Sequence, residues 1–343
     1  MRVFLFLLMT ALSMASIVAG AADDADSSYR LGNGYPVSDT GFRIGGYATA
    51  QVGAPHAAPK YFEISDLSLF LTWDNGSRLR FFSELEVGDA LSASEQQSLG
   101  IQDAHFEFER GYFDALVNNN LTVRVGKFLT PVGQWNVIHA SPLVWTSSRP
   151  VVTENLFSTH VSGLMLHGSV SLAERQLEYS VYGDASDSID PHRSKEPFEN
   201  AVGAHLRYFL GDTLQLGVSF SHFALNESLP VRYYLSGVDV AWVYRKFELN
   251  SEIVYRASDH AFSENNWQGF VQGVLPVPMS QHWFAVGRYE FFEQTLAQTG
   301  QVGLLGLAYR PLPPLIWKLE YQMGTHNELL APDGVSASFA VLF

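Results

Sequence analysis

The chain of 343 residues is 47% apolar, only 16% charged and free of cysteine. That is too apolar for disorder and poorer in charge than an ordinary soluble domain, at roughly 25%, and it excludes disulfide scaffolds, cysteine metal sites and thiol nucleophiles. A formal net charge of −14 is opposite to the basic stripe of a nucleic-acid binder, so no nucleic-acid partner is expected.

Residues 1–21 read as a cleaved signal peptide. Arg2 is the one charge before Asp23, an apolar stretch runs from Val3 to Val18, and Ala19-Gly20-Ala21 has the small-x-small form of a cleavage site. A retained helix is the alternative. Removal of Arg2 leaves 20 positive against 35 negative residues. No later stretch approaches the roughly 20 apolar residues of a spanning helix, so the mature chain crosses a membrane with β-strands or not at all. Residues 22–41 are expected to form a short periplasmic segment, too short for a plug domain, ahead of a barrel over 42–343.

From Phe42 onward hydrophobicity alternates with period two. Phe247, Leu249, Ile253 and Tyr255 alternate with Glu248, Asn250, Glu252 and Arg256; Trp317, Leu319 and Tyr321 alternate with Lys318, Glu320 and Gln322. Successive strand side chains point to opposite faces, so each segment has one greasy and one charged side. Sixteen strands are expected, starting at Phe42, Tyr61, Arg78, Ile101, Asn120, His160, Gln176, Asn200, Thr213, Tyr233, Phe247, Asn266, His282, Thr299, Leu315 and Val335. The fold class is all-β: a transmembrane antiparallel β-barrel of about 16 strands. An even count brings both chain ends to one side of the membrane. Tight turns at 74–77, 173–175, 211–212 and 245–246 alternate with longer stretches at 89–100, 129–159, 185–199, 224–232 and 258–265, as short periplasmic turns and long outer loops require. The stretch 111–119 is long for a turn and marks a doubtful boundary. All fifteen prolines are expected outside the strands, because proline donates no ladder hydrogen bond. Trp73, Trp242 and Tyr244 lie near strand ends, where aromatic girdles form.

If the greasy face meets lipid, the other face lines a lumen. The pore-lining candidates are Arg78, Arg80, Glu84, Glu86, Asp103, Glu107, Arg124, Arg207, Asp239, Glu248, Glu252, Arg256, Arg288, Glu290, Lys318 and Glu320, with Glu109 and Glu178 beside them. Acids outnumber bases, which predicts a cation-leaning or weakly selective lumen. The longest connection, 129–159, is the third loop and is too apolar to stand free in water. Its constriction candidates are Trp135, Asn136, His139, Trp145 and Arg149. The histidines, including His139 and His160, have no tight metal spacing, so no metal site is expected. No Gly-x-Ser-x-Gly elbow accompanies Ser147, Ser148 and His160, so no enzyme activity and no cofactor are expected.

The last strand is the most specific signal. Val335, Ala337, Phe339, Val341 and Phe343 form one apolar face ending on the final residue. This resembles the C-terminal strand of bacterial outer-membrane proteins, which implies an outer-membrane lipid environment and recognition of Phe339, Val341 and Phe343 by the barrel-assembly machinery. The stretch Gly126-Lys127-Phe128-Leu129-Thr130-Pro131-Val132-Gly133-Gln134-Trp135-Asn136 is similar to a Gly-Lys/Arg-Phe-x-x-Pro-x-Gly segment of the porin superfamily, including its phosphate-selective type. The resemblance is local. It implies a homotrimer whose third loop narrows the lumen and which passes small polar solutes passively. A substrate-specific uptake channel for an organic acid, sugar or anion is the alternative, and a barrel enzyme or adhesin a further one. Arg149 is the one base in the third loop after Lys127, which weighs against phosphate selectivity.

Overall fold

In the computed structural model the described residues are 29–185, 198–225, 231–259, 265–294 and 298–343. The signal-peptide expectation lies outside them, as does most of each stretch expected over 185–199, 224–232 and 258–265. Sixteen strands form one antiparallel sheet: β1 (Phe42–Pro55), β2 (Tyr61–Asp74), β3 (Leu79–Ser94), β4 (His105–Asn118), β5 (Leu121–Leu129), β6 (His160–Leu172), β7 (Arg175–Asp184), β8 (Phe198–Leu210), β9 (Leu214–Leu225), β10 (Arg232–Tyr244), β11 (Phe247–Ser258), β12 (Asn266–Pro276), β13 (Trp283–Gln294), β14 (Gln298–Leu312), β15 (Leu315–Thr325) and β16 (Gly334–Leu342). Each strand pairs with its chain neighbours, and β16 returns to β1 with Phe339 opposite Ala50 and Val341 opposite Ala48. Gly46 and Phe343 then exchange backbone hydrogen bonds of 2.8 Å each, which seals the last residue into the ring. Closure satisfies every ladder, the condition for a sheet that spans lipid. Ahead of β1, Tyr35 and Pro36 pair with Ile44 and Arg43.

The expected strands are all present, and every start agrees within two residues except Ile101, where β4 begins at His105. That late start explains the doubtful stretch 111–119: β4 continues to Asn118 and turns at 119–120 into β5. Three prolines, expected outside strands, lie within them. Pro55 and Pro276 close β1 and β12, and Pro311 sits in the register break of β14 between Tyr309 and Leu312. None of these positions needs a donated hydrogen bond. At the end carrying the termini the connections are tight, as at 119–120, 173–174, 245–246 and 313–314; at the opposite end they reach 95–104 and 130–159.

Burial is inverted relative to a soluble protein. The outward side chains are large and apolar, with Leu305 74%, Phe106 69% and Phe220 58% exposed, while Glu84, Gln272 and Ser219 inside are 0% exposed. On β11, Phe247, Leu249 and Ile253 point out and Glu252 and Val254 point in. An apolar belt of this kind is matched to lipid. Near the terminal end it is rimmed by aromatic pairs: Phe81–Phe113 at 4.9 Å, Trp242–Tyr244 at 6.1 Å, Trp283–Tyr309 at 4.7 Å and Trp317–Phe339 at 4.9 Å. Phe339 and Val341 belong to the outward face of β16, and Phe343 follows directly after its end, exposed.

Register shifts occur in several strand pairs, and those near Ser65 and Glu109 change which residues face inward. Between β3 and β4 the register shifts at Glu84/Leu85, and both Glu109 and Arg110 turn inward as a result. Glu109 reaches His160 at 2.9 Å, and Arg110 bonds Glu84 at 2.5 Å. In β2 a shift between Ile64 and Asp66 brings Asp66 to the inner face.

Candidate constriction: the third loop inside the barrel

The connection 130–159 follows β5 and folds inward. Its neck is closed by Thr130 N to Thr159 O (2.8 Å) and by Asn136, wholly buried, whose Nδ2 donates to Thr130 O (2.7 Å) and Thr159 O (3.1 Å). Gly133 sits at φ +62, and a Cβ there would run into the Glu252 carboxylate, so this position requires glycine twice over.

Four carboxylates on the wall hold the loop by its N–H groups. Glu252 Oε1 accepts from Gln134 N and Trp135 N, each at 2.7 Å. Glu320 accepts from Ser147 N (2.9 Å) and Ser148 N (3.0 Å), and Glu290 from Val151 N (2.7 Å). Glu248 accepts from the Trp145 indole at 2.7 Å. Basic residues take the loop's oxygens. Lys318 Nζ donates to Ser141 O (2.8 Å) and Thr146 O (3.0 Å). Arg288 donates to Thr146 Oγ1, Ser148 O and Ser148 Oγ, and to Glu290 beside it. Arg256 donates to Leu156 O, and Arg310 to Pro142 O. A loop with unpaired backbone groups would not stay in such an interior; charge-assisted bonds satisfy them at about 1.5–3 kcal/mol each.

Apolar packing does the rest. Val132, Trp135, Val144, Val152, Leu156 and Phe157 form one core with wall residues including Phe198, Phe223, Tyr233 and Phe270. Trp135 meets Phe270 edge-on at 5.9 Å, and Trp145 lies 4.6 Å from Phe284 with the Arg310 guanidinium 4.8 Å over its ring. Arg149 ties the loop to itself through Ile138 O (2.9 Å) and Trp135 O (3.2 Å), and it pairs with Glu154 at 3.3 Å. The loop reaches the other wall at Ser141, which bonds Asp66 at 3.2 Å. Burial, opposing the Glu109 carboxylate 3.7 Å away, pushes the His139 imidazole down to about 3, so it stands neutral.

The remaining sequence-selected charges fall into local pairs. Asp239 and His205 meet at 3.0 Å in a buried position; Arg124 grips Asp114 with two bonds of 2.7 and 2.8 Å over the Tyr112 ring; Arg207 reaches Glu178 at 3.4 Å; Glu107 lies 3.5 Å from His105. Glu86 accepts from Tyr47 (2.8 Å) and from Ser68. Two residues lie elsewhere than on an inner wall, and a third lies at its rim. Arg78 is in the turn before β3 and exposed; Arg80, at the rim, pairs with exposed Asp74 at 2.9 Å. Asp103 is exposed in the connection 95–104, where hydrogen bonds from Ser92 and Gln97 hold it below the usual carboxylate range. Phase counting placed Arg78 and Asp103 on strands because β3 and β4 start later than the alternation suggests.

Asp66, Arg110, Asp114 and Tyr47 also face inward and were not selected from the sequence. For Asp66 and Arg110 the cause is the bulges, which shift the phase by one residue. Between the loop and β1, β15 and β16 a cavity of about 240 Å³ remains, lined by Gln51, Tyr61, Arg149, Glu320, Gln322 and Ser336 among others.

No family model and no curated protein matches the chain. Solved structures do. Outer-membrane expressed OmpT of Vibrio cholerae is similar with a TM-score of 0.61 at 9% identity, over 90% of this chain and 99% of that one. The Salmonella typhi OmpF complex with daunomycin gives 0.60 at 8%, over 90% and 99%. The anion-selective porin from Comamonas acidovorans gives 0.55 at 12%, over 88% and 98%. At such identities the likeness is one of fold. The chain is a closed, porin-like sixteen-strand barrel, and its apolar outer belt is that of a protein of the bacterial outer membrane.

Proposed function

We propose that this barrel is a passive channel for small hydrophilic solutes, working as a homotrimer, with the inward third loop as its constriction. The observation that carries the reading is the clamp itself: a loop held across the interior by wall charges of both signs, with a cavity of mixed lining left beside β1, β15 and β16. A loop fixed in this way narrows the interior. The acids that clamp the loop spend their charge on its N–H groups. Selectivity then rests on the wall of β2 to β4, which carries Glu63, Asp66, Glu86 and Glu107, and the passage leans toward cations. Phosphate selectivity finds no row of bases along this route. Ser147 Oγ lies 2.7 Å from Ser338 Oγ and Ser148 Oγ accepts from Arg288, an arrangement for docking the loop rather than for activating a nucleophile.

The second reading, a substrate-specific uptake channel, draws support from how much of the interior the loop occupies. Swelling of proteoliposomes in a graded series of sugars, amines and organic acids separates the two. A general channel gives rates that fall smoothly with solute size and favour amines over acids of equal size. One solute entering far faster than others of its size selects the second reading, and no swelling from folded barrel contradicts both.

A further inference from the structure

Glu84 and Glu86 are two residues apart on β3 and share its inner face, and His139 comes down on them from the third loop. Each offers one ligand atom, and these atoms lie within 4.8 Å of one another. Sequence spacing gave no sign of this site, because the histidine is more than fifty positions from the acids and meets them only when the loop folds inward.

A second observation is independent of the clustering. Glu84 is 0% exposed, Arg110 occupies its Oε2, and its Oε1 has no hydrogen-bond partner among the described residues. A buried carboxylate oxygen left unpaired is costly, and native structures rarely tolerate one without a ligand, ion or water. Further acid and base stand close by. Glu109 stands beside the histidine at 3.7 Å, and Arg110 is the guanidinium directly paired with the group. Glu86 is already oriented: Tyr47 and Ser68 both donate to its Oε2, which leaves its other oxygen for a ligand. Outer bonds of this kind fix a metal-binding carboxylate.

We propose that Glu84, Glu86 and His139 bind one divalent transition-metal ion of the zinc class, which clips the third loop to β3. One imidazole nitrogen with two carboxylate oxygens suits Zn²⁺ or Mn²⁺, whereas Ca²⁺ and Mg²⁺ prefer oxygen donors alone. The ion supplies Glu84 Oε1 with its missing partner. Because the site joins loop to wall, occupancy stiffens the constriction.

The test is isothermal titration of ZnCl₂ into tag-free, refolded full-length barrel. This readout does not depend on permeation, so it stands or falls separately from the channel reading. We expect one Zn²⁺ per chain, affinity reduced at least about tenfold in His139→Ala and in Glu86→Gln, no change in the exposed-rim control His282→Ala, and no displacement by equimolar Ca²⁺. Glu86→Gln keeps the acceptor for Tyr47 and Ser68, and His139→Ala gives up the 3.7 Å contact with Glu109, so the pairs within the wall stay intact in both variants. Absence of saturable binding, binding unaffected by both variants, or Ca²⁺ competing on equal terms overturns the proposal.

Discussion

Glu252, Glu290 and Glu320 each lie where a transmembrane strand has no reason of its own to bury an acid. Each accepts from loop N–H groups that would otherwise be orphaned in the interior. Backbone conformation at single residues is just as specific. The turn between β6 and β7 is made by Ala173 and Glu174, at φ +50 and +61, without a glycine. A two-residue hairpin of this hand favours Asn-Gly, and each non-glycine residue held there costs roughly 1–2 kcal/mol. The double variant Ala173→Asn, Glu174→Gly is therefore expected to stabilise the barrel by about 1 kcal/mol, read as a higher urea midpoint for unfolding from lipid vesicles. An unchanged or lower midpoint would show that this turn is not strained.

At the scale of elements, the proposed channel depends on the seating of the third loop, and a cysteine-free chain makes its position easy to test. Ser147 Oγ on the loop and Ser338 Oγ on β16 are 2.7 Å apart. The pair Ser147→Cys, Ser338→Cys should oxidise to an intramolecular disulfide, seen as a mobility shift abolished by reductant. Two thiols that stay free under oxidant would mean the loop is not seated against β16. The strands were legible in the sequence because lipid on one side and water on the other impose a strict period of two, as β11 and β15 display residue by residue. Bulges were not legible: one extra residue at Glu109 or Ser65 turns the next side chain to the other face, and nothing local marks the slip. The clamp was hidden for another reason. The wall acids could be listed from alternation, but their partners are loop N–H groups as far as 173 positions away, as for Ser147 and Glu320. The loop's apolar content showed that it needed a surface to pack on, not which acids would hold it.

At the scale of the molecule, two surfaces define the protein: an outer belt matched to lipid and an interior divided between packed loop and cavity. Leu305, 74% exposed on the outer face, tests the first. Leu305→Arg should destabilise the folded barrel by about 2–4 kcal/mol if that position lies near the bilayer midplane, measured by unfolding from vesicles; a neutral result would place it outside the hydrocarbon. The interior is tested by electrical measurement. Refolded protein, verified as barrel by heat-dependent gel mobility, is added to a planar bilayer under a salt gradient. We expect ohmic openings in groups of three, with a reversal potential on the cation side. Silent barrels would contradict an open channel, and an anion-side reversal would contradict control of the passage by the acids of β2 to β4.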